Sequence, residues 1–381
     1  MRVKLAAQVL SHSVAAGIFS KIAKGDMPTG AVATGTCYSM CPEEEIKLRE
    51  TSKLIHVLEV VGSKRQLVKS YCRSAADLHI AVPKLLRPYS VLTHTVEYLL
   101  VKVTQRDDVP QPVVYDFVND RLRAVRQDMT IQRLPPDECV NLLEPMVRFY
   151  VYYGYLLNDL PLKDFDPHLN KKYLLECTKW FLSCCDSITE RPDSELIDRL
   201  SRFLHVSNNN DRRLVCDKVL IECLYILCNL DNIHPLYRYI KLSKEMKSNS
   251  KLQLAYKIAI SNMEGNYIKV FRLLDQLCPL TYCAVFAYLP TLQRRCLQVL
   301  SHGYHNKRLT VPSDVIARWL RFPDRQEAKT TCQYYGLTVD GDAVRFDKTQ
   351  FKMNDRLHQV KTEDLITKFN INNPSDIYTY T

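Results

Sequence analysis

VVYDFVNDRLRAVRQDMTIQ, residues 113–132, carries the clearest periodicity in the chain. Val113, Val114, Phe117, Val118, Leu122, Val125 and Met129 recur at helical spacing and define one apolar stripe. The other face holds Asp116, Asp120, Arg121, Arg123, Arg126, Asp128 and Gln132. Charges of alternating sign on a helix face support pairing one turn apart, which is the favoured reading. The same weave could instead clamp a neighbouring segment.

Upstream, Pro42 suits a first helical position, where its missing N–H would be unsatisfied anyway. Glu43, Glu44 and Glu45 oppose the positive end of the helix dipole, and apolar Ile46, Leu54, Ile55, Leu58 and Val61 continue the run to Gly62. Between Lys69 and Pro88 the text is irregular, and Pro83 and Pro88 push the preceding residues, Arg87 included, into extended conformation. A helix from Tyr89 to Val103 follows, before the break at Pro110–Pro112. From Pro136 to Tyr282 helix succeeds helix, with breaks near Pro161 and Pro167, Arg191–Pro192, Asn208–Asn210, His234–Pro235, Ser248–Ser250 and Gly265. Such spacing predicts stacked antiparallel helical hairpins, and without a strict repeat they form an irregular solenoid of PCI/TPR-like kind.

The C-terminal text changes character. A helix over Cys283–His302 leads to a strand at Leu309–Val311. Pro312 and Ser313 open a second helix with Val315, Ile316, Trp319 and Leu320. Pro323 and Asp324 start a third, which runs to Tyr335 and ends on Gly336. Leu337–Val339 and Ala343–Phe346 alternate around Asp340–Gly341, a two-residue hairpin turn. Helix, strand, helix, helix, hairpin is the order of a winged helix. The fold class is therefore mainly α: a helical solenoid followed by a winged-helix module.

Composition excludes several functions. With 10 glycines in 381 residues there is no Gly-rich phosphate loop. The 14 cysteines are scattered, and Cys216, Cys223 and Cys228 lie among apolar residues, as reduced thiols of the nucleus or cytosol would. No stretch of about 18 uncharged apolar residues occurs, so no membrane partner is expected; Met146–Leu157 is shorter and carries Arg148. The first 25 residues carry Arg2, Lys4, Lys21 and Lys24 with no acid, and residues 1–34 are read as a leader, either a targeting segment or a disordered or amphipathic lead-in. The net charge of +10 points to anionic partners. It is densest over Tyr237–Lys257, where Arg238, Lys241, Lys244, Lys247, Lys251 and Lys257 face a lone Glu245. A solvated face is the favoured reading there, a nucleic-acid stripe the sharper one.

Four blocks carry a family resemblance. Gly35-Thr36-Cys37-Tyr38-Ser39-Met40-Cys41-Pro42, with Glu45 and Arg49-Glu50, resembles the opening signature of the Sac-three/GANP domain. Tyr71-Cys72-Arg73-Ser74-Ala75-Ala76 resembles its second block, with Asp77 where the family has Gly. Leu86-Arg87-Pro88, Val91-Leu92 and Thr95–Leu99 resemble the third. Phe117 and Asp120-Arg121-Leu122-Arg123-Ala124-Val125-Arg126-Gln127-Asp128 with Gln132 resemble the fourth. Gly265-Asn266-Tyr267 with Phe271 and Leu274 resembles the helix before the family's terminal winged helix.

The resemblance implies a helical Sac-three/GANP domain over 35–282, a winged-helix module over 283–350 and a tail over 351–381. It implies a non-enzymatic scaffold of the TREX-two kind in nuclear mRNA export, with a PCI-type partner, a small acidic subunit and RNA as partners. The sequence shows no Phe-Gly repeats, centrin-binding helix or acetyltransferase-like region, a layout similar to short animal members. Those are linked to centrosome duplication and spindle assembly, so a mitotic scaffold at the centrosome is the alternative to the nucleus and cytoplasm. A PCI subunit of a proteasome lid or translation factor is a second alternative, against which the four blocks count.

No cofactor is expected. Cys37 and Cys41, or His302 and His305, fall short of the four ligands of a structural zinc site. Cys41 at a helix start could be a reactive thiol, but the glutamates in the next turn oppose that, and a packing role is favoured. His56, His79 and His94 come without a nucleophile motif. For nucleic acid, the candidates are Arg325, Gln326, Lys329 and Gln333 on the third helix of the winged module, with Lys241, Lys244, Lys247 and Lys251. Protein contact through the winged helix is placed ahead of sequence-specific DNA reading.

Overall fold

The computed structural model describes residues 34–73, 82–189, 216–353 and 356–358. They fall in two compact units, one holding 34–149 and 176–189, the other 150–175 and the described residues from 217 onward. The boundary at 282/283 lies inside the second unit.

In the first unit, α1 (Glu43–Thr51) carries Glu43, Glu44 and Glu45 in its first turn and Arg49 in its last. Pro42 is its N-cap, one residue earlier than expected. The helix does not reach Gly62. Lys53 takes φ 53°, and His56 then caps a separate 3-10 turn, Val57–Glu59, by accepting from Leu58 N while Glu59 reaches back to His56 N. Leu58 and Val61 thus belong to new elements, and Gly62 (φ 60°) sits in the tight turn between β1 (Val60–Val61) and β2 (Lys64–Arg65). After a 3-10 turn at Pro83–Leu85, Leu86 is extended as expected, and α2 (Tyr89–Glu97) continues as a π-helical stretch over Tyr98–Val103. The helix α3 (Gln111–Ile131) buries Val114, Phe117, Val118, Leu122, Val125 and Met129 of the stripe read from the sequence, and leaves Val113 half-buried. Two long helices follow, α4 (Pro136–Leu156) and α5 (Pro167–Thr189), each contributing to both units.

The second unit is a succession of short helices: α6 (Lys218–Leu227), α7 (His234–Lys241), α8 (Lys244–Ser248), α9 (Ser250–Met263), α10 (Tyr267–Leu274), α11 (Pro279–Phe286) and α12 (Leu289–Gly303). Their starts follow ordinary capping chemistry: the side chains of Asp217, Ser243, Asn249 and Asn266 accept from backbone N–H groups of the first turns of α6, α8, α9 and α10. The chain packs α9 against α6 and α10, and α10 against α12. The expected helix over 283–302 is broken, since Pro290 opens α12 after α11 has ended.

The chain then runs β3 (Val311–Pro312), α13 (Ser313–Leu320), α14 (Arg325–Tyr334), β4 (Thr338–Asp340) and β5 (Ala343–Arg345). The sheet order is β3-β5-β4, antiparallel throughout, with Val344 opposite both Val311 and Val339. This is the element order expected of a winged helix. Asp340 pairs with Ala343, so Gly341 (φ 58°) and Asp342 form the turn, one residue later than the sequence suggested.

Gly336 ends α14 with φ 81°, and a Cβ there would lie 2.5 Å from Gln350 O. Gly336→Ala therefore meets both a left-handed backbone and an overlap with the backbone of the turn that follows β5. The substitution is expected to cost about 2 kcal/mol or more, read as a lower midpoint in denaturant titrations of the whole chain.

Candidate functional site

The stretch 66–72 lies in no helix or strand apart from its neighbours β1 and β2, so its backbone donors need other acceptors. Side-chain carboxylates supply most of them. Val68 N donates to Glu59 Oε1 (3.1 Å), Ser70 N to Glu45 Oε1 (2.9 Å) and Tyr71 N to Asp120 Oδ2 (3.2 Å). Lys69 N donates to Met40 O at 3.0 Å, and Gln127 Nε2 donates to Cys72 O at 3.1 Å. Glu45 of the first block, Glu59 between the blocks and Asp120 of the fourth thus strap the same irregular segment.

At the centre stands Asp128 of α3, with no exposed surface. Lys69 Nζ donates to its Oδ1 at 2.6 Å and Arg87 Nε to its Oδ2 at 2.7 Å. Lys69 Nζ also donates to Leu85 O (2.6 Å), and Arg87 Nη1 to Met40 O (3.3 Å). Gln132, one turn on, accepts from Gly35 N at 2.7 Å and donates to Arg87 O at 2.8 Å. A Cβ on Gly35 would lie 2.5 Å from Leu86 O, so this close approach needs glycine. Thr36 N and Cys37 N donate to Pro83 O and Leu86 O, at 2.8 and 2.9 Å.

A second buried cluster surrounds Glu59, which pairs with Arg49 and with Arg121 Nη2 (3.2 Å). Burial alone would raise the Glu59 carboxyl, but the guanidiniums of Arg121 and Arg49 outweigh it and hold it below the usual range. Arg121 also pairs with Asp120, and its guanidinium lies 4.4 Å from the Phe117 ring centroid. His56 stacks on the same phenyl ring at 4.8 Å, and burial lowers its pKa.

The signature residues therefore converge in one unit, and Asp120 and Asp128 of α3 clamp neighbouring segments. Gly35, Thr36, Cys37, Met40, Arg87, Asp120, Arg121 and Asp128 all take part in the contacts above. Pro42 and Pro88 start α1 and α2. Arg123 lies over the Tyr71 ring at 3.8 Å, and Arg126 reaches Glu176 at 3.1 Å. Arg73 is exposed, and Ser74 lies outside the described residues, as does His79. The Cys41 thiol is buried, and burial, then Glu45, pushes its pKa well up, which leaves it a packing residue.

The basic candidates lie in the second unit. Arg325, Gln326 and Gln333 are exposed on α14. Arg325 and Lys329, however, share one carboxylate, Asp342 in the hairpin turn, at 3.7 Å for Arg325. The hydrogen bond from Lys329 holds Asp342 below the usual carboxylate range. Lys241, Lys244 and Lys251 are exposed, and Lys247 Nζ donates to Ile240 O. Arg238 leaves the run, because it is held by buried Glu222 at 2.8–3.0 Å. Sequence reading passed over Arg295, Lys307 and Arg308, which are exposed and carry no acidic partner among the described residues. The signal for the latter two was present: a polar basic run, His305-Asn306-Lys307-Arg308, between a helix and a strand.

Comparison with known proteins matches the SAC3/GANP family over residues 40–341. The chain is 28% identical to Protein xmas of Drosophila melanogaster over 86% of its length, and 26% identical to SAC3 family protein B of Arabidopsis thaliana over 80%. It is 24% identical to SAC3 family protein 1 of Schizosaccharomyces pombe over 83%. The matches cover 15%, 18% and 32% of those relatives' own lengths.

Removing Asp128 would strand two buried cations. Asp128→Ala is expected to cost about 3–5 kcal/mol, seen as loss of the cooperative thermal transition or of soluble protein. Glu59 gives a second, pH-dependent handle. Its depressed pKa contributes stability that is full above the unfolded value of about 4.3 and is lost as pH falls through the folded value. Denaturation midpoints of the wild type should therefore fall below about pH 4.3, and Glu59→Gln, weaker at neutral pH, should lose less on acidification.

Proposed function

We propose, since this chain belongs to the SAC3/GANP family, that it is a non-enzymatic scaffold of the TREX-two kind, serving nuclear mRNA export through protein and RNA contacts. The observation that supports this best is where the family signature goes. Its charged residues are spent in a buried network that fastens irregular segments to α3, as a scaffold requires. Ligand contacts then belong on the surface. Lys307 and Arg308 offer uncompensated positive charge just before β3, Arg295 adds to it on α12, and α14 offers Arg325 and Lys329 against the single Asp342. A basic surface without a groove-reading requirement suits the phosphate backbone of single-stranded RNA.

The test is a salt titration of binding to a single-stranded RNA oligonucleotide. Wild type is compared with Lys307→Glu/Arg308→Glu and with Arg325→Glu/Lys329→Glu. Each pair is expected to weaken binding and to reduce the slope of log K against log salt by about 1.4, at about 0.7 per phosphate contact. Asp342→Asn should act oppositely and tighten binding. Weak binding unmoved by all three variants would remove RNA from the reading and leave a protein-only scaffold.

A further inference from the structure

The helix α7 is fastened on one side only. Pro235 and Leu236 are buried, Tyr239 stacks on Tyr256 of α9 at 4.0 Å, and Arg238 is forked onto Glu222 of α6. On the other side Ile233, Tyr237 and Ile240 are 61%, 58% and 61% exposed. Their spacing of four and then three residues puts them on one face of the helix. Scattered exposed apolar residues need no explanation, but three aligned on a short helix do.

The border of this stripe is positive. Lys241 Nζ sits 4.4 Å from the Tyr237 ring centroid, and Lys244 follows at the start of α8. Lys251 and Lys257 are exposed further along, and Glu245 is the one acid between residues 237 and 257.

Three kinds of occupant can be compared on this chemistry. A nucleic acid would use the lysines and stack on Tyr237, but two exposed isoleucines offer it neither a π-face nor a donor. A second copy of the chain, docked through the same face about a two-fold axis, would set lysines against lysines. A partner helix with an aliphatic stripe edged by Glu or Asp satisfies both the apolar and the charged parts.

We infer that the α7 face, Ile233, Tyr237 and Ile240 bordered by Lys241 and Lys244, is a docking surface for an acidic amphipathic helix of another protein. The inference rests on the scaffold reading above and adds a partner surface apart from the RNA-binding candidates of the winged module. The patch is small, so the contact is of the weak, exchangeable kind, with micromolar affinity.

The test uses the full chain and two designed fluorescein-labelled helical peptides of about 16 residues. One carries a leucine stripe edged by glutamates; its twin carries lysines in their place. The acidic peptide is expected to bind in fluorescence anisotropy, and the lysine twin is not. Ile233→Asp/Ile240→Asp and Lys241→Glu/Lys244→Glu should each weaken the acidic peptide by about ten-fold or more. All four positions are exposed, and thermal melts should match wild type. Absence of acidic-peptide binding, equal binding of the twin, or binding indifferent to the variants would overturn the assignment. So would an RNA oligonucleotide that competes with the peptide and loses affinity in Ile233→Asp/Ile240→Asp. Peptide binding that persists while RNA binding is absent would instead count against the RNA part of the preceding reading alone.

Discussion

Everything in the first unit depends on Asp128 being paired twice. One carboxylate faces Lys69 and Arg87, all three are at most 1% exposed, and the group is left with one excess positive charge. Burying such a charge is costly unless dipoles compensate it. Here backbone carbonyls do so: Leu85 O accepts from Lys69 and Met40 O from Arg87. The compensation is what binds the segments together. Those carbonyls belong to irregular stretches that have no ladder of their own, so the buried cations and the unpaired backbone solve each other's problem.

The neighbouring cluster has the opposite excess. Arg49 and Arg121 stand against Glu45, Glu59 and Asp120, leaving one negative charge, and here backbone N–H groups of Val68, Ser70 and Tyr71 compensate it. Successive residues of one strap are thereby divided between the two clusters, with Lys69 committed to Asp128 and Val68, Ser70 and Tyr71 to carboxylates of the other set. A shift of one residue in this strap would break both. That interdependence gives a physical reason for four separated blocks of sequence to keep a fixed register with one another.

Helices were legible because apolar spacing reports which face of a segment is inside, and α3 buries the stripe that its sequence displays. The burial of Arg121, Asp128 and Gln132 on its polar face was not legible. Periodicity says nothing about what covers a face, and here the cover is irregular chain whose partners lie some 40 to 60 positions away in sequence, as with Arg87 and Lys69 on Asp128. The α1 overrun has a similar cause: Leu58 and Val61 fit a helical period by chance, while the positive φ of Lys53 and the cap at His56 ended the helix locally. The order of the C-terminal elements could be read because turns and caps are short-range signals. The hairpin turn moved by one residue, and that shift placed Asp342 in the turn, where it meets Lys329 and Arg325. A pair formed 13 residues apart across a turn is beyond what local pattern can rank.

The two basic side chains are used differently, and this bears on what the net charge of +10 means. Arginines dominate the buried set, since a planar guanidinium can hold several partners at once: Arg121 two carboxylates and the Phe117 ring, Arg87 a carboxylate and a carbonyl. Lysines dominate the exposed run at 241–257, where a hydrated point charge on a flexible stem costs little to leave in water. Lys69 is the exception, and it is buried only because a carboxylate and a carbonyl meet it at 2.6 Å. The chain's positive charge is thus not one property but two. The buried part, Arg49, Lys69, Arg87, Arg121 and Arg148 among the described residues, is consumed by the fold, and the functional field is set by the exposed part, less whatever a residue such as Asp342 takes back.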